Sequence, residues 1–284
     1  MVVYFTKKEL DGYLQLQKSN NTSIGFVPTM GALHQGHLSL IKESKKKTTL
    51  TVCSIFVNPT QFSNTVDFEK YPITTEEDIK QLKSAGTDIL FLPTVQEMYP
   101  QGTTALEKYN LGMIETLLEG HYRPNHFQGV CQVVHRLLDI VNPNILFLGQ
   151  KDYQQCLIVK KLIALIQKSI EVCVVPTTRA KNGLAMSSRN IRLSPKALQQ
   201  ASTIYKAMLY AKDHVYQQSI NAVEAAASEM LLKNGFTTID YLSVVEQETL
   251  MPIIKTHKAQ KMMIMVAAFI EGVRLIDNLL IGLD

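Results

Sequence analysis

The chain has 284 residues, 46% of them apolar and 19% charged, which is enough for two domains that each bury a core. Twenty-nine basic against 25 acidic residues leave a net charge of +4, too small and too dispersed to argue for nucleic acid as a partner. No stretch approaches the ~18 consecutive apolar residues of a membrane span, and the N-terminus lacks a basic segment leading into an apolar, cleavable core. Cys53, Cys131, Cys156 and Cys173 lie inside apolar stretches without forming a Cys-x-x-Cys pair, so they read as buried thiols in a reducing compartment. A cytoplasmic location without membrane or nucleic-acid partners is the expectation.

Through the first 175 residues, short apolar runs rich in β-branched residues alternate with longer segments of helical period. Strands are predicted at Ile24 to Val27, Leu50 to Val57, Asp88 to Leu92, Ile145 to Leu148 and Ile170 to Val175. Helices are predicted after His37 and over Glu76 to Ala85, Phe127 to Val141 and Tyr153 to Lys168. This alternation implies an α/β fold, a doubly wound, Rossmann-like parallel sheet whose ligands bind at the carboxyl ends of its strands. The character changes between Pro176 and Arg179, giving an expected division into residues 1–176 and 177–284. The second part reads as a smaller α+β domain, with helical period from Pro195 to Gln218 and Asn221 to Asn234. Three β-like runs follow, Asp240 to Val245, Met262 to Ile270 and Val273 to Ile281, the last two joined by a tight turn at Glu271-Gly272 into an antiparallel sheet.

The segment Pro28-Thr29-Met30-Gly31-Ala32-Leu33-His34-Gln35-Gly36-His37 follows the first of those strands and opens a helix. Two glycines that let the backbone approach a ligand, with two histidines three apart, suit a triphosphate. Gly-rich corners without any ligand are common, but Ser or Asp would cap the helix more simply than paired imidazoles. Zinc is the weaker reading, because the other histidines are scattered and no cysteine pair has ligand spacing. Lys45-Lys46-Lys47 fits a solvated helix end. Three further polar loops share the design of a strand delivering carboxamides, a lysine or hydroxyls to a helix start. These are Asn58-Pro59-Thr60-Gln61-Phe62, Gly149-Gln150-Lys151-Asp152-Tyr153-Gln154-Gln155 and Gly183-Leu184-Ala185-Met186-Ser187-Ser188-Arg189-Asn190. Each alone is also accounted for by helix capping through Asp152 or Ser187.

In this order, from Ile24 to Arg274-Leu275-Ile276-Asp277-Asn278, the four strings resemble the pantoate–beta-alanine ligases of the nucleotidyltransferase superfamily. The resemblance implies a two-step, ATP-dependent reaction. (R)-Pantoate attacks the α-phosphate to give pantoyl adenylate and pyrophosphate, and β-alanine then displaces AMP to give pantothenate. It implies ATP as co-substrate, Mg²⁺ on its phosphates and a homodimer. His34 and His37 would contact the triphosphate, His37 as proton donor, while Lys151 and Arg189 hold phosphate oxygens and Ser187 and Ser188 add hydrogen bonds. Met30 to His37, Gly149, Gln150, Asp152 and Met186 would line the nucleotide, Asp152 through ribose hydroxyls, and Thr178 would meet adenine through its backbone. Gln61 and Gln155 would orient pantoate, whose methyls Phe56, Val130 and Val133 would cover, with Asn58 near phosphate and Gln61 also near the incoming amine. Neutral carboxamides orient a carboxylate without quenching it as a nucleophile. The sequence identifies no general base for the amine step. Closure about a hinge at Pro176 to Arg179 would carry Met186 to Arg189 over the nucleotide.

Thr74-Thr75-Glu76-Glu77-Asp78 aligns with an acidic patch near Mg²⁺ in the family but also reads as an acidic first helical turn, which is the preferred account, with Mg²⁺ held by ATP and water. Asn125, Asn182 and Ile73 depart from the family pattern, and Asn125 is tolerable because asparagine adopts left-handed conformations. Two competitors stand beside this reading. One is another adenylyltransferase acting on a phosphate acceptor, such as a pantetheine-phosphate or nicotinate-nucleotide enzyme, which would need more cations at the rim. The other is a non-catalytic RNA-binding module, disfavoured by the absence of a basic, aromatic-interleaved surface.

Overall fold

A computed structural model describes residues 1–62, 68–104, 106–255 and 261–282. The chain forms two compact units. The first comprises Met1–Glu115, Arg123–Gln150 and Gln155–Pro176, and the second Thr116–Tyr122, Lys151–Gln154 and Thr177–Asp284.

The first unit is built on six parallel strands, β1 (Val2–Tyr4), β2 (Ile24–Thr29), β3 (Leu50–Ile55), β4 (Ile89–Phe91), β5 (Ile145–Gly149) and β6 (Glu171–Val175), in the order β1-β4-β3-β2-β5-β6. Helices cover both faces, so successive residues of one strand enter opposite cores. Phe26, Val52, Phe91 and Leu146 point to one core, which α1 (Lys7–Ser19) and α4 (His126–Val141) complete. Val27, Cys53, Leu90 and Phe147 point to the other, closed by α2 (Gln35–Lys47) and α3 (Thr75–Ser84). Burial on both faces is what makes the central strands read as short, mostly apolar runs without charged residues. Two elements precede the first predicted strand and carry no such signal. β1 is a three-residue edge strand, and α1 is a mostly polar helix started by Thr6, whose hydroxyl accepts from Glu9 N at 3.3 Å.

Strand order reverses at β2, which has β3 on one side and β5 on the other. The carboxyl ends of β2 and β5 flank this switch point, where doubly wound sheets bind ligands. The turn after Thr29 and the Gly149-Gln150 turn therefore leave the sheet side by side. The predicted helix Tyr153 to Lys168 is α5 (Tyr153–Leu165).

The second unit packs α6 (Pro195–Ala201), α7 (Thr203–His214) and α8 (Ile220–Lys233) against an antiparallel sheet of β7 (Thr238–Glu246), β8 (Met262–Ile270) and β9 (Val273–Ile281). The single helical stretch expected from Pro195 is broken at Ser202, whose hydroxyl turns back to the carbonyl of Gln199 at 2.7 Å. Glu271 and Gly272 take φ of 48° and 71° between the pair Ile270 and Val273, the left-handed geometry of a two-residue hairpin. Two short segments preceding Pro176 are bound into this unit. Glu119, almost fully buried, accepts from Tyr241 Oη at 2.8 Å and Arg274 Nη1 at 2.9 Å, while Arg274 Nε reaches Asp240 at 2.7 Å. Gln154 accepts from Glu119 N at 3.1 Å and donates to the carbonyl of Leu117 at 2.9 Å.

Candidate active site

Residues 30–37 form a strained turn at the end of β2. Gly31 and Ala32 are both left-handed, with φ of 80° and 48°. For alanine this conformation costs about 1 kcal/mol or more, so something must hold it. Asp78 on α3 does so. Its carboxylate is 1% exposed and accepts from Ala32 N at 2.9 Å through Oδ2 and from Leu33 N at 2.7 Å through Oδ1, with Thr74 Oγ1 at 3.2 Å. A side chain at Gly31 would stand 3.0 Å from Asp78 Oδ2 and 3.1 Å from Ile55 Cγ2.

The two histidines that follow do more locally than the sequence suggested, for they are themselves the helix cap. His34 is the N-cap of α2, and its Nδ1 accepts from Gly36 N at 3.1 Å. His37 Nδ1 accepts from His34 N at 3.3 Å, and the rings lie 4.0 Å apart. A ring nitrogen that accepts from a backbone N–H carries a lone pair. The hydrogen-bond network therefore assigns the proton of each neutral imidazole to Nε2, making both rings Nε2–H donors. Capping and ligand contact are thus compatible roles for opposite edges of one ring.

The Asn58 loop is a buried scaffold under Gln61. Asn58 is 1% exposed, and its amide donates to Thr60 Oγ1 at 3.0 Å, Gln61 Oε1 at 3.2 Å and the carbonyl of Gly129 at 3.1 Å, while Tyr99 Oη donates to its oxygen at 2.7 Å. These bonds engage the polar atoms of Asn58 inside the protein and hold the carboxamide of Gln61 in place. Gln61 Nε2 reaches Met30 Sδ at 3.0 Å, which brings the predicted pantoate and nucleotide loops together within the first unit. His126 was missed by sequence reasoning. Its Nδ1 donates to the carbonyl of Gln61 at 2.8 Å, and Arg123 Nη1 lies 3.1 Å from its Nε2. Gly129 was missed as well. A Cβ there would fall 2.2 Å from Thr60 O, so only glycine lets α4 lie against this loop. Asn125, before α4, is left-handed with φ 65°, the conformation a glycine would supply.

Met30, Gly31, Phe56, Thr74, Asp78 and Thr94 line a cavity of about 240 Å³ beyond the carboxyl ends of β2, β3 and β4, with the exposed Ile73 on its wall. Val130 and Val133 are buried in the core with Phe56. Gly149 differs from Gly31 and Gly129 in that a Cβ there would meet open space. Among the described residues nothing requires the smallest residue at that position. Gln155, in the first turn of α5, is half-buried.

In the second unit Lys151 Nζ lies 3.2 Å from Asp152 Oδ1. Ser187 caps the 3₁₀ turn Ser188–Arg192, its hydroxyl accepting from Arg189 N at 3.3 Å. The carbonyl of Thr178 accepts from Met186 N at 2.9 Å, which ties residue 178 to the loop that carries Ser187. Asn182 Oδ1 accepts from Leu184 N at 3.2 Å and shapes the turn before Ala185. Burial pushes the Cys53 and Cys131 thiols up and leaves them unreactive. Among the described residues no group of three or more His, Cys, Asp or Glu is arranged to hold a metal ion. Asp78, the buried acid of the 74–78 stretch, already gives both carboxylate oxygens to amides.

A parallel sheet with a strained, histidine-capped turn at its switch point defines an α/β enzyme that handles a nucleotide. Residues 3–280 match the family model of pantoate-beta-alanine ligase. The pantothenate synthetase of Cytophaga hutchinsonii is 43% identical over 99% of both chains. The crystal structure of the pantothenate synthetase of Thermus thermophilus superposes with a TM-score of 0.90 at 40% identity, covering 98% of this chain and 99% of that one. The pantoate-beta-alanine ligase of Francisella tularensis, solved with beta-gamma ATP and beta-alanine, gives 0.82 at 35% identity, covering 99% and 97%. The chain belongs to the pantoate–beta-alanine ligase family and is an enzyme of that type.

Proposed function

We propose that the chain joins (R)-pantoate to β-alanine through a pantoyl adenylate. In the first step a pantoate carboxylate oxygen attacks the α-phosphorus of ATP, the bond to the bridging oxygen breaks, and pyrophosphate leaves. In the second the neutral amine of β-alanine attacks the acyl carbon, AMP leaves with the bonding pair, and the nitrogen sheds a proton to give the amide. The observation that carries this reading is the paired departure of the His34/His37 turn and the Gly149-Gln150 turn from neighbouring strands, with Gln61 held against Met30 beside them.

The first step concentrates negative charge on the phosphates, so fixed donors are what catalysis requires. The Nε2–H groups of His34 and His37 supply two donors whose direction the helix cap sets, and His37 donates toward the leaving phosphates. Lys151 and Arg189 neutralise phosphate oxygens, with Ser187 and Ser188 beside them. Met30 to His37, Gly149, Gln150, Asp152, Thr178 and Met186 border the nucleotide, and the open space over Gly149 Cα is where a ligand approaches most closely. Gln61, oriented by Asn58, and Gln155 hold pantoate, with Phe56, Val130 and Val133 behind its methyls. In this reading Mg²⁺ accompanies ATP as its counter-ion, held by phosphate oxygens and water. Homodimeric assembly and a cytoplasmic setting belong to the same reading, the latter supported by four free cysteines.

The decisive measurement is pantoate-dependent exchange of labelled pyrophosphate into ATP without β-alanine. Exchange is expected. Its absence from folded protein removes the adenylate.

A further inference from the structure

Lys151 stands one residue beyond a 3₁₀ turn's start, where the sheet has ended and the backbone has no ladder partner to define it. Its carbonyl accepts instead from Asn278 Nδ2 at 2.8 Å, across 127 positions of sequence. Asn278 lies in β9 and is 1% exposed.

Asn278 is in turn held by a buried pair. Arg179 presents both terminal nitrogens to Asp277, Nη1 to Oδ2 at 2.5 Å and Nη2 to Oδ1 at 3.0 Å, and Nη2 also reaches the carbonyl of Asn278 at 3.2 Å. Asp277 Oδ1 accepts from Asn278 N at 2.8 Å. The same guanidinium lies 4.2 Å over the Tyr205 ring and donates to the carbonyl of Gly183 at 3.1 Å. Gly183, with φ 90°, has no room for a Cβ, which would stand 2.3 Å from Tyr205 Cδ1. The 179–186 segment that this guanidinium braces is closed by the Arg179–Ala185 bridge and leads directly into Met186-Ser187-Ser188-Arg189.

One guanidinium therefore fixes two loops of the second unit. We propose that Asn278, set by the Arg179–Asp277 pair, is a positioning residue that registers Lys151 against the Ser187–Arg189 loop. This rests on the reading of Lys151 and Arg189 as phosphate ligands. A buried, fully bonded ion pair contributes little net stability but specifies one arrangement, which suits a device that sets the spacing of two cations. Asn278 itself touches no substrate and acts through the Lys151 main chain.

The test compares N278A with K151A and the double variant, reading ATP dissociation constants by calorimetry together with the kcat and KM of the full reaction. A misplacement of Lys151 by about 1 Å is expected to cost roughly tenfold to a hundredfold in kcat/KM for ATP, with the pantoate KM within about twofold of wild type. The weakening of ATP binding by N278A disappears in the K151A background, because both changes act through one side chain. Wild-type ATP binding by N278A, or a loss that adds in full to that of K151A, overturns the proposal. N278D keeps the side-chain volume while removing the donor, and is read by the same criteria if N278A fails to fold. A wild-type protein that binds ATP but shows no pantoate-dependent exchange would overturn the functional reading alone, since the binding cycle still decides the role of Asn278.

Discussion

Replacing Asp78 by asparagine tests whether the histidine turn is held from α3. The carboxylate accepts two backbone amides at 2.9 and 2.7 Å in a site 1% exposed, where water cannot substitute. A carboxamide keeps one acceptor oxygen and turns an NH₂ group toward the other amide. One charge-assisted bond worth about 1.5–3 kcal/mol is lost, and the survivor, now neutral, is about half as strong. The combined cost is roughly 3 kcal/mol, which for a unit of this size lowers Tm by about 6–12 °C. The left-handed Ala32 then relaxes, and His34 and His37 lose their fixed direction, so kcat/KM for ATP falls further than unfolding explains at the assay temperature. Thermal unfolding by circular dichroism and steady-state AMP release measure the two effects, with E77Q as control because Glu77 lies on the exposed face of the same helical turn. D78N unfolding within about 1 °C of wild type with an unchanged KM for ATP would refute the argument, as would recovery of activity when Mg²⁺ is raised, the behaviour of a metal ligand.

G129A places a methyl 2.2 Å from Thr60 O, so α4 and the 58–61 loop must separate by about 1 Å at a cost of about 1–3 kcal/mol. Because Gln61 rides on that loop, steady-state kinetics should show a raised pantoate KM with a smaller change for ATP. Glu224, which accepts from Val244 N at 2.7 Å, has its carboxyl pushed above the usual glutamate range by burial. Ionising it costs the folded state more than the unfolded one, a cost absent below about pH 4 that sets in as pH rises through the unfolded and then the folded value. E224Q keeps the acceptor and removes the charge, so its Tm should exceed that of wild type at about pH 7.5 and converge with it near pH ~4.

What was legible in the sequence follows from how far each signal reaches along the chain. β2, β3 and β5 announce themselves because burial on both faces writes a short run that is mostly apolar and free of charge. β1, three residues at the sheet edge, leaves too short a run to read, and α1 is mostly polar. The Glu271-Gly272 turn is local, two residues with one geometry. The supports of the site are long-range, and nothing local betrays them. Asp78 meets Ala32 across 46 positions, Gly129 meets Thr60 across 69 and Asn278 meets Lys151 across 127. An aspartate in a first helical turn is the commonest of helix signals, which is why Asp78 reads as an ordinary dipole partner until the fold turns it inward.

The histidines show why residue type alone leaves a role open. Their choice over serine or aspartate at a helix start suggested that they serve a ligand rather than the helix, and the structure makes them the cap as well. The two roles depend on each other. An imidazole has two nitrogens at opposite edges, and committing Nδ1 to a backbone N–H fixes both the ring plane and the site of the proton. A serine cap spends its hydroxyl oxygen on the helix, whereas a histidine cap commits only one of two ring nitrogens to it. In the proposed reaction, a donor of fixed direction suits a phosphate whose charge grows.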